Sequence, residues 1–257
     1  MLKKILIKIY FLLKIFFLPK NYFNFCKSQN QNEENLFLKK LSDSIENKFF
    51  VEIGFHHTEF NSIGLIENGF SGQLIDGGKS INVIIMRFLM LILKKKVSVY
   101  RKFITTENIN NILEKKEIGC LSIDIDGNDY WILNTILKQN ILPEVIIVEY
   151  NPSFLDKNIS IPYSHKFNRL KAHKSGFYHG ASLSAFEKLL KDYNYNLVKC
   201  IGGVNAIFVS DKVRLKNNLK KYLASEIYAE GHLRNKWSGL NATQQYELIK
   251  YLPIEKV

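Results

Sequence analysis

The stretch Cys120–Leu133, CLSIDIDGNDYWIL, decides how the chain is read. An apolar run gives way to Asp124, Asp126, Asn128 and Asp129, and Gly127 breaks the run before a helical pattern begins at Tyr130. Strand, acidic turn and helix in succession mark a parallel α/β unit. With period-two alternation, Ser122, Asp124 and Asp126 share one face of the strand and Leu121, Ile123 and Ile125 the other. Carboxylates in mid-sheet would be buried charges costing several kcal/mol each. They belong at the open end of the strand, facing a ligand, a cation or a substrate hydroxyl.

The same unit recurs on both sides. FFVEIG (49–54) is a short apolar run ending in glycine, and TEFNSIGLIENG (58–69) follows with helical spacing. GQLID (72–76) precedes a helical pattern over 81–96, with Lys94, Lys95 and Lys96 at the end where cations favour the helix dipole. VSVY (97–100) precedes TENINNILEKK (106–116), and the helix over 130–140 leads to EVIIVEY (144–150). The strands are near-continuous apolar runs, as expected when helices cover both faces of a parallel sheet. Ser184 and Glu187 have capping-box spacing at the start of a further helix. Then NLVKCI and VNAIFVS flank Gly202-Gly203, which reads as a tight hairpin with an antiparallel last strand. The expectation is an α/β fold with helices on both faces of a mostly parallel sheet, closed by a C-terminal antiparallel hairpin; this arrangement occurs in several folds, of which one large class is the methyltransferase variant of the Rossmann sheet. Residues 46–210 form this domain, after a linker and lead-in helix over 21–45; residues 211–257 form a basic helical tail without a chemical motif.

Apolar residues make up 46% and charged residues 23% of the 257, which is globular composition. A formal net charge of +12 suits an anionic partner or reflects lysine-rich composition alone. Nucleic acid is disfavoured, because no binding motif accompanies the charge. Cys26, Cys120 and Cys200 are far apart and odd in number, which argues against a disulfide framework or a zinc site and for a reducing, cytoplasmic compartment. Residues 1–20 read as a basic amphipathic helix ended by Pro19, with Lys3, Lys4, Lys8 and Lys14 on one side. Lysines interrupt it too often for a spanning helix. It suits peripheral contact with an anionic membrane, on the inner face, or docking on the domain.

Ligands of open α/β sheets bind beyond the carboxyl ends of the strands. Glu52 and Gly54 end the first strand, and Asp76 ends the second. An acid some 20 residues beyond the glycine turn accepts hydrogen bonds from ribose hydroxyls, and Gly54 to Asp76 has that spacing. One glycine, where a dinucleotide fingerprint has three, argues against NAD or FAD; a cofactor without phosphates, such as S-adenosylmethionine, demands less of the loop. His56 and His57 read as loop packing, with a base or ligand role as the alternative. Asp126, Asn128 and Glu149 are oxygen donors suited to Mg²⁺ or Ca²⁺ rather than zinc.

FVEIG, GQLIDGG, LSIDIDGNDYWIL, VIIVEYNPSF, GASLSAFEKL and GVNAIFV, spread over Phe50–Val209, resemble in order and spacing the FkbM-like S-adenosylmethionine-dependent methyltransferases. The resemblance implies a donor held around Glu52, Gly54 and Asp76, and O-methylation of sugars or secondary metabolites. Related sugar O-methyltransferases carry an acidic metal site at the ends of strands four and five, which resembles Asp126 and Glu149. Asp124, Asp126 and Glu149 are thus the candidate catalytic acids. Asp124 is also expected to orient the donor, and Asp126 and Glu149 to hold a cation. The expected function is O-methyl transfer to a sugar hydroxyl of a glycan or a related metabolite. The alternative is a degenerate domain of the same fold that binds membrane or glycan without catalysis.

Overall fold

The computed structural model describes residues 22–27 and 32–257. The helix expected over 1–20 lies outside them. The lead-in consists of α1 (Tyr22–Lys27) and α2 (Asn32–Leu41). Five strands then alternate with helices: β1 (Phe49–Ile53), α3 (Ile63–Glu67), β2 (Ser71–Asp76), α4 (Ser80–Ile92), β3 (Val97–Arg101), α5 (Ile109–Ile112), β4 (Cys120–Ile123), α6 (Asp129–Lys138) and β5 (Val145–Glu149). After β5 come β6 (Ile159–Ser160), α7 (Arg169–Ala172), α8 (Leu183–Lys191), β7 (Tyr195–Ile201) and β8 (Asn205–Ser210). The C-terminal segment adds α9 (Asp211–Lys216), α10 (Ala224–Ile227), α11 (His232–Ser238), α12 (Ala242–Glu247) and β9 (Glu255–Lys256).

The main sheet runs β3-β2-β1-β4-β5-β8-β7. Its first five strands pair in parallel, β8 runs antiparallel to β5, and β7 antiparallel to β8. Leaving β6 aside, the winding 3-2-1-4-5-7-6 is that of the Rossmann-like class I methyltransferase sheet, and it reverses between β1 and β4. Both faces of β1, β4 and β5 are buried. One face carries a core built with α1 to α4, including Leu38, Phe60, Leu65 and Met86; the other packs α6 and α8 through Leu133, Ile136 and Phe186. Each fully buried Leu or Ile stabilises by about 1.5–3 kcal/mol, so the sheet is held from both sides. A third cluster, around Phe154, Phe177 and Ile249, seats the C-terminal segment, and β9 pairs with β6.

Several local expectations change. The helices expected over 58–69 and 106–116 shorten to α3 and α5, because Glu52 and Asn108 organise the residues before them as loops. The cap of α8 is Ser182, not Ser184. Its Oγ accepts from the Ala185 amide at 3.1 Å, and Glu187 instead accepts from the Ala224 amide. Strand β4 stops at Ile123, so Asp124 and Asp126 lie beyond the ladder and strand alternation no longer governs them. All three cysteines are free. No helix among the described residues is long and apolar enough to cross a membrane.

Gly202 and Gly203, with φ of 62° and 66°, are the left-handed central pair of a turn that the Val204 amide closes onto the Ile201 carbonyl at 3.0 Å, and Val204 makes the loop between β7 and β8 three residues long. A Cβ at Gly202 would meet open space, whereas one at Gly203 would lie 2.1 Å from the Glu230 carbonyl oxygen. Gly202→Ala is therefore expected to destabilise by about 1–2 kcal/mol, the left-handed penalty alone. Gly203→Ala should lose at least about 3 kcal/mol by displacing the C-terminal segment. Urea unfolding of both variants checks the difference.

Candidate active site

At the end of β1, Glu52 is buried and its carboxylate is engaged. Oε1 accepts from the Asn61 amide at 2.6 Å, and Oε2 accepts from the Ser62 amide and the Ser62 hydroxyl at 2.9 and 2.5 Å. The side chain thus holds the loop 54–62 against the strand. Burial outweighs those hydrogen bonds and raises its pKa to about 7. Gly54 has φ +84°, and a Cβ there would fall 1.6 Å from the Asp124 carbonyl oxygen. Glycine at this position lets the β1 and β4 loops touch. The His56 and His57 rings lie 4.3 Å apart between centroids, tilted by 42°; the exposed His56 places Nδ1 2.8 Å from Thr58 Oγ1 at the cavity edge, and His57 places Nδ1 2.8 Å from Asn82 Oδ1 on α4.

Asp76 ends β2 half-buried, and its Oδ2 accepts from the Gly78 amide at 3.0 Å. Partial burial raises its pKa, with Arg101 acting against the shift.

Beyond β4, Asp129 shapes the acidic turn. Its two oxygens accept from the Ile125 and Gly127 amides, each at 2.9 Å, and burial lifts its pKa to about 6. The turn puts Asp126 at φ +59°, exposed and paired with the Arg169 guanidinium. Asn128, expected among the oxygen donors for a cation, instead clamps the backbone of Ser164 with both ends of its amide. Asp124 takes its place: oxygens of Asp124, Asp126 and Glu149 all lie within 4.8 Å of one another.

Glu149 ends β5 and is buried. Its neighbours come from far along the chain. Arg234 of α11 places Nη2 at 3.7 Å from Oε1, and His179 places Nδ1 at 3.8 Å from Oε2. Arg234 also donates to Asn151 Oδ1 at 2.9 Å and lies 3.1 Å from His179 Nε2. A guanidinium only donates, so Nε2 accepts and Nδ1 carries the ring proton. Burial and the two nearby arginines depress the His179 pKa and keep the ring neutral. At 3.8 Å the Nδ1 contact is no hydrogen bond, and Glu149 Oε2 is left buried without a partner. Burial, then Asp126, raises Glu149 to about 7, with Arg234 opposing; burial and the surrounding carboxylates likewise raise Asp124. Glu149 thus exchanges a proton close to neutral pH, the condition for general acid–base work, beside an Asp124 carboxyl held well above the usual carboxylate range.

One cavity of about 770 Å³ joins these pieces. Glu52, Gly54, Asp76, Asp124, Asp126 and Glu149 all line it, at the carboxyl ends of four adjacent strands. Ile75, Phe103 and Ile104 form an apolar wall near Asp76, and Lys102, Asn168 and Arg169 contribute polar groups. Sequence reasoning missed Arg169, His179 and Arg234. A signal for Arg169 and His179 was present: residues 157–186 contain no Asp or Glu, which marks a segment able to lie against acids. Arg234 stands alone in a segment with no such pattern.

No family model matches the chain, and no curated protein matches it. Solved structures match at low identity. The bifunctional kinase-methyltransferase WbdD is 13% identical, with a TM-score of 0.48 over 71% of this chain and 40% of its own. The chain therefore spans about two-fifths of WbdD. A putative O-methyltransferase from Klebsiella pneumoniae is 12% identical, with a TM-score of 0.45 over 70% of this chain and 80% of its own. The O-methyltransferase from Bacillus cereus, in complex with SAH, is 15% identical, with a TM-score of 0.45 over 69% and 79%. The likeness is weak, and the fold rests on the strand order itself.

Arg234 carries a stability consequence. Removing it takes the cationic partner from Glu149 and the donor from His179 Nε2, while Asn151 Oδ1 keeps the Ser153 amide at 3.0 Å; breaking a buried ion pair from one side typically costs about 3–5 kcal/mol. Arg234→Leu is expected to lose about 3 kcal/mol or more, whereas exposed Lys236→Ala, two residues on, should stay within about 0.5 kcal/mol. Chemical unfolding of the two variants checks this.

Proposed function

We propose that the chain is an S-adenosylmethionine-dependent methyltransferase acting on a hydroxyl oxygen, that of a sugar in a glycan or a related metabolite. The observation that carries this reading is the convergence of Asp76, Asp124 and Glu149, from three strand ends, on one cavity in a sheet of this winding. Asp76 offers a carboxylate to the ribose hydroxyls, beside the apolar wall of Ile75, Phe103 and Ile104 that suits a flat aromatic base. Gly54 lets the backbone come close to the ligand. The bound donor supplies an electrophilic methyl group on a sulfonium. Glu149 takes the proton of the acceptor hydroxyl as its oxygen is alkylated, and Asp124 shares the protonation load. Polar groups at Lys102, Asn168 and Arg169 suit a hydroxyl-rich acceptor.

The oxygens of Asp124, Asp126 and Glu149, with the orphaned Glu149 Oε2 among them, also fit Mg²⁺. Bound there, a cation would lower the acceptor's pKa as a Lewis acid. Arg169 would release Asp126 to admit it.

One observation favours a second reading. The Glu52 carboxylate is fully engaged with Asn61 and Ser62, and Phe55 and His56 fill the loop that in dinucleotide enzymes is glycine-rich. That suits a binding module which holds a ligand without transfer. Release of S-adenosylhomocysteine in the presence of an acceptor separates the two.

Asp76→Ala is expected to weaken S-adenosylmethionine by about 1.5–3 kcal/mol, the worth of charge-assisted hydrogen bonds. Calorimetry showing unchanged affinity would remove Asp76 from the donor site. For the cation, millimolar Mg²⁺ should raise the melting temperature of the wild type, and Asp126→Asn should abolish that response. Methyl transfer that persists in chelator, with no melting shift, assigns the carboxyls to direct proton transfer.

A further inference from the structure

Helix α4 presents an apolar face to solvent. Ile81, Ile84 and Leu91 are 52%, 58% and 77% exposed, and Ile92 is also exposed. At about 100° per residue the four lie within a 100° arc, opposite the buried Val83, Met86 and Met90. Exposed apolar residues occur singly on any protein, but a stripe along one helix marks an interaction surface.

Charge decides what the stripe meets. From Gly77 to Thr106 the sequence contains no Asp or Glu but seven basic residues: Lys79, Arg87, Lys94, Lys95, Lys96, Arg101 and Lys102. A second copy would bring the same positive charge to the same face. Residues 1–21, an apolar sequence with five lysines and no acid, lead into α1 beside this helix. The Tyr22 hydroxyl there lies 3.9 Å from Met86 Sδ, and Lys95 lies over the Phe23 ring. That segment is also all-positive, so it does not neutralise the face. An anionic bilayer satisfies both features, since it takes apolar side chains into the acyl boundary and basic ones among its headgroups.

We propose that the exposed face of α4 is an anionic-lipid-binding surface of the folded domain. It acts beside residues 1–21, not merely through them. The helix starts four residues after Asp76, and Phe103, at the cavity wall, packs against Gly77 between the two. Lipid contact on this face holds the cavity close to the bilayer, where a lipid-borne acceptor would be presented.

The test is flotation of the full chain with neutral phosphatidylcholine vesicles and with vesicles that also contain phosphatidylglycerol. The wild type is expected to float with the anionic vesicles only, and to be released by high salt. The double variant Ile84→Glu/Leu91→Glu should reduce the partition at least about tenfold with its melting temperature unchanged. Should the double variant melt early, Leu91→Ser alone should still show a several-fold loss. Three results overturn the proposal: a wild type that does not float with anionic vesicles, a correctly folded variant that floats like the wild type, or a wild-type dimer that the substitutions dissociate. The second assigns binding to residues 1–21 alone, and the third assigns the face to a second copy.

Discussion

The close approach of Gly54 to the carbonyl of Asp124 sets the geometry of everything above it. The two residues leave β1 and β4 at the point where the sheet reverses its winding, and a single methyl group at Gly54 would collide with the Asp124 backbone. The Gly54 amide donates to the Ile75 carbonyl at 2.8 Å and the Asp124 amide to the Ile53 carbonyl at 2.9 Å. Both loops thus diverge from one hydrogen-bonded seam. The cavity lies across the carboxyl ends of β2, β1, β4 and β5 with this seam at its centre, so its acids are only as well placed as the seam.

Gathering carboxylates here is costly, and the fold offsets the cost from outside the α/β core. Asp129 is satisfied by its own turn, and Glu52 by the loop it holds. Asp124, Asp126 and Glu149 have less local support, and the arginines nearest them come from later segments: Arg169 from α7 and Arg234 from α11. Cation and anion therefore meet only in the finished fold. The incomplete pairing of Glu149, whose Oε2 stays bare, leaves a carboxyl poised near neutrality for a proton or a cation.

This division explains what the sequence revealed and what it hid. The strands were legible because parallel strands covered on both faces are continuous apolar runs, and the hairpin because Gly202-Gly203 is one of the few pairs that turn so tightly. The acids at strand ends were legible because they follow directly on the apolar runs, although alternation along β4 did not place Asp124 and Asp126, which lie beyond its ladder. The helices over 58–69 and 106–116 were overestimated, since carboxylate and amide side chains drew their first turns into loops. Asn128 was misassigned for the same reason: a side chain that looks like a ligand donor was recruited by the Ser164 backbone, more than thirty residues away. Arg234 was invisible, because its meaning depends on a contact across 85 residues that no local pattern encodes.

The most direct measurement is the structure of the full chain crystallised with S-adenosylhomocysteine. The ribose hydroxyls are predicted at hydrogen-bonding distance from the Asp76 carboxylate, with the sulfur turned toward Asp124 and Glu149. A ligand bound elsewhere, or a cavity that stays empty at saturating concentration, would contradict the assignment of this cavity to a methyl donor.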